Sequence, residues 1–386
     1  MTQKTRNSNI EWLRIFSMFL ILLGHIYATG FDSEAQPTVV WFASTLFGTW
    51  SILGVDLFVI TSAYFFCEQR FSAKRILSVL FEAVCYIFAF GICHAAFACS
   101  AGFSIRLFLG SLFYFFVDHL FVEYHWFVIA YLALCLLFPF LNKLLELLEK
   151  RQLLTLLLVL LLVSLFTNIY GSGYYSVFGN VANFCLIYLL TAYFKKNSPS
   201  LRLGLLCILL PILFVGSRIL THYLPNNTWG YLLRTLLSTT IANNRRYSLI
   251  MVFLALFLFF LVAKKPARSN AFVNAVARCA FGVYLFHETY FTRISTSVLI
   301  DGSGATTIVE KDASLKDIVI NVLTEHNWLA PNIGLVWKLF VVALAIFLVG
   351  VVIEWIRSKL LQGPFIRLIT KKYGDCLEKF DAHFHF

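Results

Sequence analysis

The stretch Trp12-Leu13-Arg14-Ile15-Phe16-Ser17-Met18-Phe19-Leu20-Ile21-Leu22-Leu23-Gly24-His25 sets an arginine and a histidine inside one apolar run. On an α-helix, eleven steps of about 100° return His25 to within about 20° of the direction of Arg14, about 16 Å further along the axis. Arg14 is thereby placed near one membrane surface and His25 well inside the hydrocarbon layer. Ionisable groups at such depth are costly and read as functional. The bland alternative has Arg14 snorkelling to the headgroups and His25 hydrogen-bonded between helices.

The composition extends this reading to the whole chain. Of 386 residues, 60% are hydrophobic and only 13% are charged. Apolar runs long enough to span a bilayer recur along the length, which predicts an all-α, polytopic transmembrane bundle. The expected spans are about 12–30, 42–66, 76–98, 126–141, 153–170, 178–194, 203–223, 247–263, 279–298 and 335–356. These make about ten, with both termini cytoplasmic. Segment 104–117 is apolar but short, and reads as re-entrant, interfacial or an eleventh span. The first run contains Arg14 and is not followed by a small-residue cleavage site, so it is expected to be retained.

The net charge of +11 is explained by topology, without nucleic acid. With the N-terminus inside, the inner segments carry Lys4 and Arg6, then Arg70, Lys74 and Arg75, then Lys143, Lys150 and Arg151. Lys195, Lys196 and Arg202 follow, then Lys264, Lys265, Arg268 and Arg278, and a basic tail over 357–386. The expected organisation is a transmembrane domain over 1–356 with that tail lying on the anionic inner leaflet. The outer loop 299–334 is polar and partly acidic, either a lid over an external site or a tolerated insertion. The nine cysteines are scattered without CxxC or Cys/His ligand spacing, so neither disulfides nor a metal site is expected.

Further polar residues stand out against the apolar background. Asp56 in Gly54-Val55-Asp56-Leu57-Phe58 is a lone membrane carboxylate, expected near the outer end of its span with a partner in the outer vestibule. Arg70, Lys74 and Arg75 form the first inner loop; they are suited to the phosphates of a nucleotide-bearing donor, or serve as ordinary membrane anchors. His125 sits before Trp126, in company with His119 and Glu123. His287 and Glu288 lie in Tyr284-Leu285-Phe286-His287-Glu288. Either histidine lines a polar cavity or is a buried structural group.

Together these stretches resemble the bacterial acyltransferase-3 family. Asn9-Ile10-Glu11-Trp12-Leu13-Arg14, with His25 eleven positions on, is similar to its opening helix. Gly54-Val55-Asp56-Leu57-Phe58 with Ser62-Ala63-Tyr64-Phe65 resembles its second span, with Ala63 at a usual glycine. His125-Trp126-Phe127 and Tyr284-Leu285-Phe286-His287 resemble two later spans, in the expected order. The resemblance implies a membrane-bound O-acyltransferase in the bacterial plasma membrane. It would take an acyl group from acetyl-CoA or another acyl-CoA, reached from the cytoplasm. The acceptor would be a hydroxyl of an envelope glycan or lipid-linked sugar. It makes Arg14 and His25 the essential pair and assigns Arg70, Lys74 and Arg75 loosely to the donor. Asp56, His125 and His287 are expected on the acceptor. The competing reading is a transporter or flippase of lipid-linked sugars, in which the same buried charges line a translocation path.

Overall fold

A computed structural model describes residues 6–29, 38–99, 103–121, 126–170, 177–197, 202–239, 248–300, 306–329 and 334–384. The chain is a helical membrane bundle. Its helices are α1 (Ser8–Thr29), α2 (Thr38–Phe66), α3 (Ala73–Ala98), α4 (Ile105–Phe121), α5 (Trp126–Leu147), α6 (Lys150–Tyr170), α7 (Val177–Asn197) and α8 (Leu203–Tyr223). There follow α9 (Thr228–Thr239), α10 (Leu249–Ala263), α11 (Ala271–Arg278), α12 (Ala280–Glu288), α13 (Leu315–Glu325), α14 (Leu335–Arg357) and α15 (Gly363–Ala382). A π-turn, Ser358–Gln362, joins the last two. Among the described residues, six helical stretches are long and apolar enough to cross a bilayer, beginning at Ser8, Thr49, Ala73, Trp126, Leu203 and Leu335. The short segment after 103 is helical as α4 and packs on α3, where Gly91 sits against Leu112 and Phe115.

α1 and α2 form the centre and pack closely at small residues. A Cβ on Gly24 would lie 2.5 Å from Ser51 Cβ, and one on Gly54 would lie 2.5 Å from the Ser17 carbonyl oxygen. Small side chains at such crossings are what let membrane helices approach when hydrophobic driving force is absent. The faces turned inward are apolar: Met18, Leu22 and Ile26 of α1, and Leu57, Val59 and Ile60 of α2, are fully buried.

The expected span 279–298 is corrected. Its helix, α12, begins at Ala280 and ends at Glu288, where Thr289 turns extended. The β-branched and aromatic run that follows favours a strand over a helix. It pairs as β1 (Tyr290–Ile300) with β2 (Thr306–Ser314), antiparallel, with Tyr290 opposite Ser314. This hairpin is the only sheet among the described residues. It returns the chain directly into α13, within the segment expected to be a long outer loop.

Contacts gather several of the segments expected to be inner on one face. The Ser8 amide donates to the Arg268 carbonyl at 2.7 Å, and Asn9 Nδ2 to the Pro266 carbonyl at 2.8 Å. Asn142 Nδ2 donates to the Phe66 carbonyl at 3.1 Å, and Lys195 pairs with Glu68 at 2.9 Å. The tail folds back onto this face. The Ala73 amide donates to Asp381 Oδ1 at 2.7 Å, and Phe71 stacks on Phe384 with ring centroids 4.0 Å apart.

Candidate functional site

At the opposite end of α1 from this face, α1, α12 and α13 converge. His25 stands in the last two turns of α1, with 28% of its side chain exposed. Its Nδ1 lies 3.0 Å from Glu288 Oε2 and 3.2 Å from His287 Nε2. His287 is fully buried, and its Nδ1 lies 2.8 Å from the Val283 carbonyl oxygen. A carbonyl oxygen only accepts, so Nδ1 of His287 carries the hydrogen and, in the neutral ring, Nε2 is the acceptor. The hydrogen between the two imidazoles and the carboxylate therefore belongs to His25 Nδ1. A neutral His25 then has its basic lone pair on Nε2.

Glu288 does not stand as an isolated anion. Lys316 Nζ lies 3.1 Å from the same Oε2, and only 5% of the Lys316 side chain is exposed. A pair this sheltered has stronger mutual attraction than a surface pair, and that offsets part of the cost of removing both charges from water. The β-hairpin explains the meeting. Continuing the register that sets Tyr290 opposite Ser314 by two residues sets Glu288 opposite Lys316. The hairpin thus brings α13 to the end of α12.

An aromatic column runs from this cluster toward the face that carries the tail. Tyr284 lies edge-on to His287 with centroids 5.9 Å apart, Phe127 is 5.3 Å from Tyr284, and Tyr131 stacks on Phe127 at 6.0 Å. Tyr131 donates to Ser62 at 3.3 Å.

The structure brings together His25 and His287 of the residues expected from sequence, and it separates the others. Arg14 binds Glu11 at 3.2 Å, a full helical stripe away from His25. Asp56 lies between the middle of α2 and its Phe66 end, and the partner expected for it is not found among the described residues. It is completely buried, and neither carboxylate oxygen has a hydrogen-bond partner. His125 lies outside the described residues, as does Glu123. Lys74 is exposed on the first turn of α3. Arg75 donates to Gln69 at 2.6 Å, and its guanidinium stands 4.9 Å above the Phe66 ring. Arg70 lines a cavity of about 380 Å³ together with Phe138, Asn142, Lys143 and Phe384.

Two residues escaped the sequence reading. Glu288 was visible only as the neighbour of His287, and Lys316 gave no signal at all. Two ionisable residues in succession at the end of an apolar helix were the available hint for Glu288.

The family model for the acyltransferase domain of the acyltransferase-3 group matches residues 7–356. No curated protein and no solved structure matches the chain. That match takes in α1 through α14, with both histidines and the segment that delivers Lys316. The chain belongs to the acyltransferase-3 family and is a membrane acyltransferase.

Proposed function

We propose that this acyltransferase moves an acyl group, acetyl in the first instance, from acyl-CoA to a hydroxyl of an envelope glycan or lipid-linked sugar. The host membrane in this reading is the bacterial plasma membrane, crossed about ten times with both termini inside. The observation that carries the reading is the 3.0 Å contact between His25 Nδ1 and Glu288. A carboxylate on one imidazole nitrogen fixes the tautomer and leaves the other nitrogen as a base, the logic shared by acyl-transfer triads.

The reaction then follows from the ring. His25 Nε2 takes the proton of the acceptor hydroxyl as its oxygen attacks the thioester carbonyl. A C–O bond forms and the carbonyl π pair moves to oxygen. The C–S bond breaks as that pair returns, and the thiolate takes the proton back from His25. The imidazolium formed in between is stabilised by Glu288, and Lys316 keeps that carboxylate oriented. His287 supports the ring from its buried position. Asp56 is left outside this chemistry. The donor approaches from the basic face, where Arg70, Lys74 and Arg75 offer cations to its phosphates and Arg14 lies on its way to His25.

Mass spectrometry of envelope polysaccharide tests the reading, using cells with wild type, His25→Ala or no protein. An acetyl group replacing hydrogen adds about 42 Da, and the expected result is that increment with wild type alone. Full acyl transfer by His25→Ala overturns the mechanism. Movement of a lipid-linked sugar without acyl-CoA and without covalent change supports transport instead.

A further inference from the structure

The cluster at the end of α1 has a property that acyl transfer does not require. Three ligand atoms lie close together: His25 Nδ1, His287 Nε2 and Glu288 Oε2. Their separations are 3.2 Å between the imidazoles, 3.0 Å from His25 to the carboxylate and 3.9 Å from His287 to the carboxylate. A tetrahedral zinc ion with bonds of about 2.0–2.2 Å sets its ligands about 3.3–3.5 Å apart. The observed triangle brackets that edge, so an ion fits with shifts of a few tenths of an ångström.

The surroundings are those of a ligand set. His287 donates its Nδ1 hydrogen to the Val283 carbonyl at 2.8 Å, which aims its Nε2 lone pair into the cluster. Histidine ligands are commonly oriented by such a bond, and ligating carboxylates by a donor such as Lys316. Two imidazoles and one carboxylate suit zinc, cobalt, nickel or copper better than calcium or magnesium. Three protein ligands leave a fourth position open, and the partial exposure of His25 gives that position a route to solvent.

We propose that His25, His287 and Glu288 form a regulatory site for a divalent ion of the zinc class, and that metal binding and acyl transfer exclude one another. When the metal takes His25 Nδ1, the hydrogen held there passes through solvent to Nε2. The ring stays neutral, but Nε2 no longer has a lone pair for the acceptor hydroxyl. His287 keeps its Nδ1 hydrogen and gives Nε2 to the ion. Glu288 exchanges its bond from His25 for a bond to the metal. The exclusion rests on His25 acting as the base; the binding does not.

The test uses tag-free, full-length protein in detergent, stripped with chelator, and inorganic Zn²⁺ and Co²⁺ as probes. Equilibrium dialysis should give one Zn²⁺ per chain, and Co²⁺ should show the visible bands of a four-coordinate ion. Glu288→Gln should weaken binding at least tenfold and His287→Gln roughly a hundredfold. His287→Cys retains a ligand and should add a near-ultraviolet thiolate-to-cobalt band, a signature that general misfolding does not produce. Saturating Zn²⁺ should abolish acyl transfer, and chelator should restore it. No stoichiometric binding, or binding indifferent to all three variants, overturns the site. Binding with undiminished transfer overturns the exclusion. Metal bound as expected while His25→Ala still transfers acyl groups leaves the site standing and removes the functional reading.

Discussion

Glu288 is the residue that gives His25 a defined tautomer, and it does so through one oxygen shared with Lys316. Removing the proposed base, in His25→Ala, is expected to lower acyl transfer by about 10²–10⁴, the usual contribution of a positioned proton-transfer group. Glu288→Gln keeps a side chain of the same shape but loses the charge that would stabilise the proposed imidazolium. Its transfer rate is expected to fall by roughly 10- to 10³-fold, with the donor KM close to wild type because the basic face is untouched. Initial rates in membranes containing equal amounts of protein measure both, and an unaltered rate in Glu288→Gln rules out the carboxylate's role. His25 was legible in the sequence because a histidine within an apolar run is conspicuous. Its partners were not, since His287 lies 262 positions away. Lys316 reaches Glu288 only through the register of a hairpin.

Elements are held together here by two different devices, and each has a weak point. Between α1 and α2 it is the absence of a side chain at Gly54. A methyl group there meets the Ser17 carbonyl at 2.5 Å and the Ile21 amide nitrogen at 3.0 Å, which are backbone atoms and cannot rotate away. Gly54→Ala is expected to destabilise the protein by about 1–3 kcal/mol, seen as a lower thermal midpoint in detergent. Between α3 and α14 the device is ionic. Arg357 binds Glu354 through Nε at 2.7 Å and Nη2 at 2.8 Å, and Tyr86 donates to Glu354 at 3.0 Å. Glu82 stands 3.8 Å from the same guanidinium. Arg357→Ala leaves two sheltered carboxylates without their cation and is expected to cost about 3–5 kcal/mol, read in the same melting assay. A midpoint unchanged from wild type would show the pair to be dispensable. Gly54 stands in the sequence only beside the more conspicuous Asp56, and the basic tail over 357–386 sets Arg357 at the head of a surface segment. Helix continuity from α14 through the π-turn buries it instead, and its partners on α3 are some 270 positions earlier in the chain. The same locality explains the misread span at 279–298. Hydrophobicity carried on past Glu288, while the β-branched residues beyond it changed the backbone.

At the scale of the whole molecule, the two ends of the bundle are chemically unlike, and the proposed reaction uses that difference. One end gathers the start of α1, the 66–75 connection, Asn142, the basic Lys195, the 266–270 connection and the returning tail. The other end carries the histidines, Glu288 and Lys316. Positive charge is retained on the cytoplasmic side, so the tail helix α15 should face the cytoplasm and the histidine cluster the outside. Cys376 reports on this directly, because it is exposed on α15. A variant in which the other eight cysteines are replaced by serine or alanine keeps that single reporter. In intact cells, a membrane-impermeant maleimide is expected to leave it unlabelled; after the membrane is opened, labelling should become complete. The acyl donor would then meet its cations on the same side as Cys376, and the acceptor would meet His25 on the other. Labelling of Cys376 in sealed cells would invert the bundle. The histidine cluster would then face the cytoplasm, where a glycan acceptor on the outer surface could not reach it.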